Sequence, residues 1–243
     1  MSTSTTDPTL LPVSPPAPIP PLRHGDRLTR QEFERRYDAM PECKKAELID
    51  GVVYMPSPVR FGHHANPHFD LIGWLARYAC ATPGVQGGDN ASLRLDLANE
   101  PQPDAFLMIL HELGGQARID EDDYVVGGPE FIGEVASTSV SFDLHHKLRA
   151  SERNRVREYV VWRVIDRAVD WFVLHGDHFQ PLPAAEILKS TVFPGLWLDP
   201  AALVARDMAQ VARVVDQGIA QPEHAAFVQQ LQQRRQSNGG HGA

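Results

Sequence analysis

Two short apolar runs, each carrying one acid, place the strongest constraint on how this chain can fold. The first, PQPDAFLMIL, has Asp104 at its head, and the second, PEFIGEVAS, has Glu134 in its middle. Runs this short that are rich in β-branched and aromatic residues predict buried strands rather than core helices. A carboxylate is costly to bury without a partner, so both acids require one. If the two strands are neighbours, both carboxylates face one divalent cation, and oxygen ligands favour Mg²⁺ or Mn²⁺ over zinc.

A lysine follows these acids on a predicted helix. The serine and threonine residues at 137–139 offer N-caps for a helix from about residue 140 to residue 154, on which Asp143 and Lys147 share a face. Two carboxylates and an ammonium suit a metal-assisted hydrolase site. A purely structural interpretation also stands for each residue. Asp104 fits an acid at the start of a strand, and Lys147 fits an exposed ion pair with Asp143 that contributes only about 0.3–0.5 kcal/mol.

Composition is that of a soluble globular protein, and 243 residues are enough for one sizeable domain or two small ones. The formal net charge of −8 argues against a broad basic surface for nucleic acid. It allows a local basic stripe, for which Arg149, Arg153 and Arg157 are candidates if the predicted helix extends that far.

Targeting signals are missing from the sequence. No apolar run approaches the ~20 residues that span a bilayer, and the N-terminus lacks the features of a signal peptide, so a cytoplasmic protein is expected. Cys43 and Cys80 have no motif spacing and are expected to be free thiols.

Composition also divides the chain into three parts. Residues 1–23 are Pro-rich and are predicted to be a disordered tail. Residues 24–220 contain all the periodic apolar patterns and form the predicted domain. Residues 221–243 are rich in Gln and, toward their end, in Gly, which predicts a flexible C-terminal tail.

Local signals in the first half predict a short helix, a hairpin and a longer helix. Thr29 and Glu32 form a capping box, and Asp50-Gly51 is a tight primed turn between residues 47–49 and 52–54. A helix from about Pro67 has an apolar face of four residues: Leu71, Trp74, Leu75 and Tyr78. Residues 85–96 predict one strand, and residues 111–128 predict a long loop.

The second half is predicted to be mostly strands. Residues 158–166, 169–182 and 186–190 are apolar segments bounded by turn residues, as in a meander or mixed sheet. The loop at 192–196 is expected to close the core. Asp199 and Pro200 predict the start of one helix, with Asp199 as its N-cap and Pro200 in its first turn. Its apolar stripe is Met208, Val211, Val214 and Val215.

Histidines suggest a different site. His63, His64 and His68 gather at the start of the helix that follows Pro67, and His145 and His146 precede Lys147. Together they support a weaker hypothesis of a zinc hydrolase, although the spacing places no third ligand beside His64 and His68.

The order of these motifs resembles a known family. It comprises Glu47-Leu48-Ile49-Asp50-Gly51, a Ser-Pro segment with His64, Pro103-Asp104, Gly128-Pro129, Glu134-Val135-Ala136-Ser137, Asp143, Lys147, Glu158-Tyr159 and Pro194-Gly195-Leu196. In this order and spacing the chain is similar, over roughly residues 27–205, to the Uma-type group of bacterial restriction-endonuclease-like proteins. That group lies within the PD-(D/E)XK nuclease superfamily.

The resemblance implies a restriction-endonuclease-like α/β fold (α+β), a central mixed β-sheet flanked by helices. It makes Asp104 and Glu134 the metal-binding acids and Glu47 a further one, although Glu47 also fits a polar hairpin residue. The superfamily lysine usually sits two residues after the second acid, where this chain has Ala136, and the family resemblance moves that role to Lys147. The turn before Glu158 is expected to differ, because the family usually has an aromatic residue near position 151 and a glycine near position 155.

The resulting hypothesis is Mg²⁺- or Mn²⁺-dependent hydrolysis of DNA phosphodiester bonds. The cation would polarise the phosphate, and Lys147 would orient or deprotonate the attacking water. His64 and Asp143 are accessory candidates. The alternative is a non-catalytic binding or regulatory module that retains the nuclease fold. A homodimer would serve to cut both strands, and an unidentified protein partner is left open.

Overall fold

The computed structural model describes residues 18–55 and 60–239. Most of the predicted N-terminal tail, residues 1–17, lies outside the described residues. In the remaining part, residues 18–23, Leu22 packs against the domain: its side chain is buried and its backbone N–H lies 3.1 Å from the sulfur of Met40. Contact with the domain therefore begins before the predicted boundary at residue 24.

The described chain contains thirteen strands and seven α-helices. The strands are β1 (Glu47–Ile49), β2 (Val52–Tyr54), β3 (Val85–Gly88), β4 (Leu93–Arg94), β5 (Ala105–Ile109), β6 (Arg118–Ile119), β7 (Val125–Val126), β8 (Phe131–Ala136), β9 (Glu158–Arg163), β10 (Ala168–His175), β11 (His178–Pro181), β12 (Leu188–Lys189) and β13 (Trp197–Leu198). The helices are α1 (Arg30–Asp38), α2 (Asn66–Ala81), α3 (Val140–Phe142), α4 (Leu148–Arg153), α5 (Pro200–Ala205), α6 (Met208–Ile219) and α7 (Pro222–Gly239). Two π-helical turns, Phe61–Ala65 and Asp143–Lys147, precede α2 and α4, and a 3₁₀ turn covers His111–Leu113.

Six strands form the central sheet, in the order β11-β10-β9-β8-β5-β3. Strands β8 and β9 are parallel to each other, and the other neighbours in this sheet are antiparallel, so the sheet is mixed as expected. One face packs against α2, whose predicted apolar stripe is buried, and against α6. The other face is covered by α3, α4 and the small sheet β4-β7-β6. The predicted α/β fold with helices on both sides of a mixed sheet is confirmed.

A separate N-terminal unit consists of α1 and the β1-β2 hairpin. Thr29 caps α1 by accepting from the backbone N–H of Glu32, and Asp50 and Gly51 have φ of 52° and 72°, as a primed turn requires. The unit has its own core around Phe33. Leu48 in β1 exchanges backbone hydrogen bonds with Glu100, at 3.1 and 2.7 Å. This pairing joins β1 to the segment that leads into β5.

Several predicted elements are divided differently. Residues 85–96 form two strands, β3 and β4, and residues 111–128 contain a 3₁₀ turn, β6 and β7 instead of only a loop. The helix predicted after Asp199 is two helices, because Arg206 takes a left-handed φ of 61° and Asp207 caps α6 by accepting from the N–H of Gln210. Helix α4 ends at Arg153, so Arg157 does not extend a stripe along it.

The C-terminal tail prediction is wrong for residues 222–239, which form helix α7. Leu231 is fully buried, and Arg234 donates to the backbone oxygen of Leu113 at 2.7 Å. Few apolar residues mark this helix, so its periodicity gives little signal. Residues 240–243 of that tail lie outside the described chain.

Other local predictions are confirmed. Phe193 and Leu196 of the predicted closing loop are fully buried. Cys43 and Cys80 are free thiols. Arg155 has a φ of 63°, in the region that favours glycine, near the position where the resemblance implies a glycine; that this turn differs from the family's stays a prediction. Within residues 18–55 and 60–239, no helix combines the length and apolar character needed to cross a bilayer.

Candidate active site

Asp104 and Glu134 lie side by side on one face of the central sheet. Asp104 directly precedes β5, Glu134 is in β8, and the register of the two strands pairs Ala105 with Gly133. The side chains alternate along each strand, so both acids point to the face covered by α3 and α4. Asp104 Oδ2 accepts from the N–H of Val135 at 2.8 Å, and the N–H of Asp104 donates to Glu134 Oε2 at 3.5 Å. The two predicted strands are therefore neighbours, as the paired-acid hypothesis requires.

The Lys147 ammonium lies among the acids. Its Nζ is 2.9 Å from Glu47 Oε1, 3.0 Å from Glu134 Oε1 and 3.7 Å from Asp143 Oδ1. Lys147 and Asp143 are the two ends of the π-helical turn between α3 and α4. The structure thus brings five predicted site residues together from three parts of the fold: the hairpin, the two central strands and the helix after β8.

Neighbouring groups hold these side chains in place. The N–H of Gln102 donates to Glu47 Oε1 at 2.8 Å, and Tyr159 Oη donates to the backbone oxygen of Asp143 at 3.1 Å. Ser139 precedes α3 but its hydroxyl does not cap that helix. It donates to Asp143 Oδ2 at 2.5 Å instead, so the predicted N-cap serves the site.

The cluster is short of positive charge. Three carboxyl groups contact one buried ammonium and Asp104 lies next to Glu134, and the side chains of all four acids are only 4–7% exposed. Burial raises the pKa of Glu134 well above its usual range, against the opposing charge of Lys147, and burial also raises the pKa of Asp143. Burial alone would lower the pKa of Lys147, but the charges of Glu134 and Glu47 outweigh it and raise that pKa.

Asp104 is compensated from its other side by His64 and Lys45. Oδ1 lies 3.4 Å from His64 Nε2 and 3.5 Å from Lys45 Nζ. Burial acts to raise the pKa of Asp104, but the hydrogen bond with His64 and the charge of Lys45 outweigh it, so this pKa lies below its usual range. The hydrogen bond with Asp104 in turn raises the pKa of His64, whose Nδ1 lies 3.1 Å from the backbone oxygen of Val135.

The histidines do not form the alternative zinc site. His68 Nε2 lies 2.7 Å from the backbone oxygen of Asp104, and His146 lies 3.9 Å from Asp50 in the hairpin. In the described part of the chain, no three His, Cys, Asp or Glu side chains are arranged to hold a metal ion. His64 therefore serves Asp104 and the backbone of β8 rather than a zinc ion.

The acids fit a hard divalent cation by their chemistry. Asp104 and Glu134 offer only oxygen donors, which Mg²⁺ and Mn²⁺ prefer, and the cluster has more carboxyl groups than buried cations. A ready three-residue cage is missing from the described residues because Lys147 Nζ already contacts Glu47 and Glu134. Binding of such a cation thus requires the carboxylates to exchange part of their contact with the lysine.

Sequence reasoning missed Lys45, Gln102 and Tyr159. Lys45 lies two residues before Glu47, and residues two apart in extended chain face the same side, so its position was available as a signal. Gln102 acts through its backbone, which no side-chain pattern reveals. Tyr159 appeared only as part of the Glu158-Tyr159 motif.

Comparisons with known proteins agree with this architecture. The sequence model of the Uma2 family, described as "Putative restriction endonuclease", matches residues 30–201. A solved structure described as a putative nuclease belonging to DUF820 from Anabaena variabilis ATCC 29413 superimposes with a TM-score of 0.54. It is 11% identical, and the match covers 70% of this chain and 96% of that one, so it bears on the fold alone. No curated protein matches the chain. The family match spans well over half of the sequence, and the chain belongs to the Uma2 family.

Proposed function

We propose that this protein is a metal-dependent endonuclease that hydrolyses phosphodiester bonds of DNA. The observation that carries the proposal is the meeting of Asp104, Glu134 and Lys147 on one sheet face, with Lys147 Nζ 3.0 Å from Glu134 Oε1. Membership of a family described as restriction endonucleases agrees with this chemistry.

Asp104 and Glu134 are the residues that would hold Mg²⁺ or Mn²⁺, with Glu47 as a further acid. The cation, when bound, supplies Lewis acidity toward the scissile phosphate. Lys147 offsets the negative charge that develops on the phosphate oxygens and orients the attacking water through its N–H groups. Glu47 and Asp143 flank the ammonium at 2.9 and 3.7 Å and restrict its position.

The test is cleavage of supercoiled plasmid in Mg²⁺ or Mn²⁺, with chelator as the negative control. Asp104→Asn and Glu134→Gln proteins that remain folded by circular dichroism should be inactive. Glu158→Gln, which changes a buried acid outside the site, should retain cleavage. Full activity in chelator or in both site variants would contradict the proposal.

One observation favours a second candidate, a non-catalytic binding module. Lys147 already neutralises part of the charge on Glu47 and Glu134, so the cluster is partly compensated without a metal. Isothermal titration of Mn²⁺ into wild type and Glu134→Gln separates the two. Heat of binding that is lost in the variant supports the nuclease, and an absence of binding with and without oligonucleotide supports the module.

A further inference from the structure

The candidate site has a buried cation, Lys147, and a partly exposed one, Lys45. The Lys147 side chain is 6% exposed and lies behind the carboxylates, whereas Lys45 is 24% exposed and contacts Asp104 Oδ1 from the other side. A substrate strand that approaches from solvent therefore meets Lys45 before it meets Lys147. The two lysines are not equivalent.

Lys45 is held only loosely in its position. Its Nζ donates to Asn90 Oδ1 at 2.8 Å and lies 3.5 Å from Asp104 Oδ1, the outer limit of a hydrogen bond. Asn90 is an exposed residue in the connection after β3, so this contact is easily exchanged for another. A lysine ammonium has three donors on a flexible stem and can turn to a phosphate oxygen without moving the backbone.

His64 has a comparable exposure of 22% but a different role. Both of its ring nitrogens have partners, the backbone oxygen of Val135 at 3.1 Å and Asp104 Oδ1 at 3.4 Å. The ring is thereby fixed between β5 and β8. His64 positions Asp104, and Lys45 is left as the mobile cation at the open side.

We propose that Lys45 is a substrate-binding residue that contacts a backbone phosphate of the nucleic acid next to Asp104. The inference rests on the proposed function and adds a division of labour to it: Lys147 acts at the scissile phosphate from among the buried carboxylates, and Lys45 binds the strand beside it. Lys45 lies just before β1 and Glu47 is the first residue of β1, so one short segment supplies both a cation beside Asp104 and an acid beside Lys147.

The experiment measures binding rather than cleavage. Fluorescence anisotropy of a labelled DNA duplex is recorded over a range of salt concentrations, once in chelator and once in Ca²⁺. Lys45→Ala is compared with Lys44→Ala, a matched control of equal net charge whose ammonium donates to the backbone oxygen of Pro41. Lys45→Arg tests rescue, and thermal melting verifies that every variant is folded.

We expect Lys45→Ala to weaken binding by roughly tenfold, as the loss of one charge-assisted hydrogen bond does. The slope of log K against log salt should fall by about 0.9, the value for one phosphate contact. Lys44→Ala should change neither quantity by as much, and Lys45→Arg should restore both. If wild type binds DNA and the two alanine variants change the affinity equally, the proposed role of Lys45 is overturned, whereas the proposed function is not.

Two further outcomes are informative. If Lys45 acted only by neutralising Asp104, its removal would have no effect in an Asp104→Asn background, which would contradict direct phosphate contact. A folded wild type that binds no DNA in either buffer would overturn the proposed function itself, and the role of Lys45 with it.

Discussion

The two ends of the parallel pair β8 and β9 both carry buried acids, but they stabilise them in different ways. At one end, Glu130 accepts from the backbone N–H groups of Ile109 and Gln116, each at 2.9 Å. Glu158 at the same end accepts from Ser190 and Thr191 at 2.6–2.8 Å. At the other end, Glu134 depends on the Lys147 ammonium and lies beside further acids.

The difference separates acids with neutral partners from the acids that we propose to be functional. Neutral donors of the backbone and of hydroxyl groups satisfy Glu130 and Glu158, so these acids join loops to the sheet. The acids around Lys147 exceed their buried positive charge, a costly arrangement that only a cation or a proton can relieve. Perturbed carboxyl groups of this second kind are typical of functional sites.

Removal of the ammonium should have the largest effect. Lys147→Met keeps a similar stem and removes the charge, and loss of one partner of a buried ion pair costs about 3–5 kcal/mol of unfolding free energy. Urea denaturation followed by circular dichroism measures it. Adding Glu134→Gln to the same chain should recover part of the loss, because one uncompensated acid is then gone. Unchanged stability of Lys147→Met would show that the acids need no buried cation.

Glu134→Gln should have the next largest effect, on plasmid cleavage rather than on stability. Loss of a group that stabilises the transition state typically lowers kcat about 10²–10³-fold. Glu158→Gln, changed at the opposite end of the strand pair, is the control and should cleave at the wild-type rate per folded molecule. Equal losses in the two variants would remove the distinction between the two ends.

Stability should respond in the opposite order for the same two variants. Glu158→Gln places an amide against donors from Ser190 and Thr191, and an unsatisfied buried group costs about 1–3 kcal/mol. Glu134→Gln should cost less, because it removes an acid from a cluster that has too many. Thermal melting of both variants at one pH measures this difference. A melting temperature lower for Glu134→Gln than for Glu158→Gln would contradict the expected order.

Another buried acid, Glu100, shows what happens when a carboxyl group has neither a full set of neutral donors nor a buried ammonium beside it. Burial and a hydrogen bond with Glu34 raise its pKa to about 8, and its Oε2 has no partner in the described chain. Because the folded protein holds this proton at a pH where the unfolded chain has lost it, stability is lost as the pH rises from about 4.5 toward 8. Glu100→Gln stays neutral throughout.

The variant should therefore gain on wild type by about 1.4 kcal/mol per pH unit within that window. Urea titrations of both proteins at several pH values give the difference between their unfolding free energies. Other buried acids contribute equally to the two proteins and cancel in that difference. Parallel stability curves would show that Glu100 is ionised in the folded state.

Elements with strong local signals were predictable from the sequence. The hairpin was marked by Asp50-Gly51, and α2 by an apolar stripe at helical spacing. Asp104 and Glu134 stood out because an acid in an apolar run has few inexpensive explanations. Their pairing with Lys147 came from the ordered motifs of the family and not from the spacing of any two residues.

Features that depend on distant contacts were not predictable. Helix α7 is held by Leu231 and by the contact of Arg234 with Leu113, which local composition does not encode. The break between α5 and α6 occurs at an arginine in a glycine-like conformation. The contact of Lys45 with Asp104 depends on the pairing of β1 with the segment before Asp104, a distant contact that the spacing of Lys45 from Glu47 does not reveal.

The π-helical turn Asp143–Lys147 makes the direction of the lysine tolerant of a change in residue count. Such a turn accommodates one residue more than an α-helical turn of similar rise. Removing one residue from it would restore ordinary helix and leave the lysine three residues after Asp143, a spacing that still places both side chains on one face. The same deletion in an ordinary α-helical turn would rotate the residues that follow by about 100°. The wide turn thus allows the ammonium to keep facing the acids when the helix before it changes by one residue.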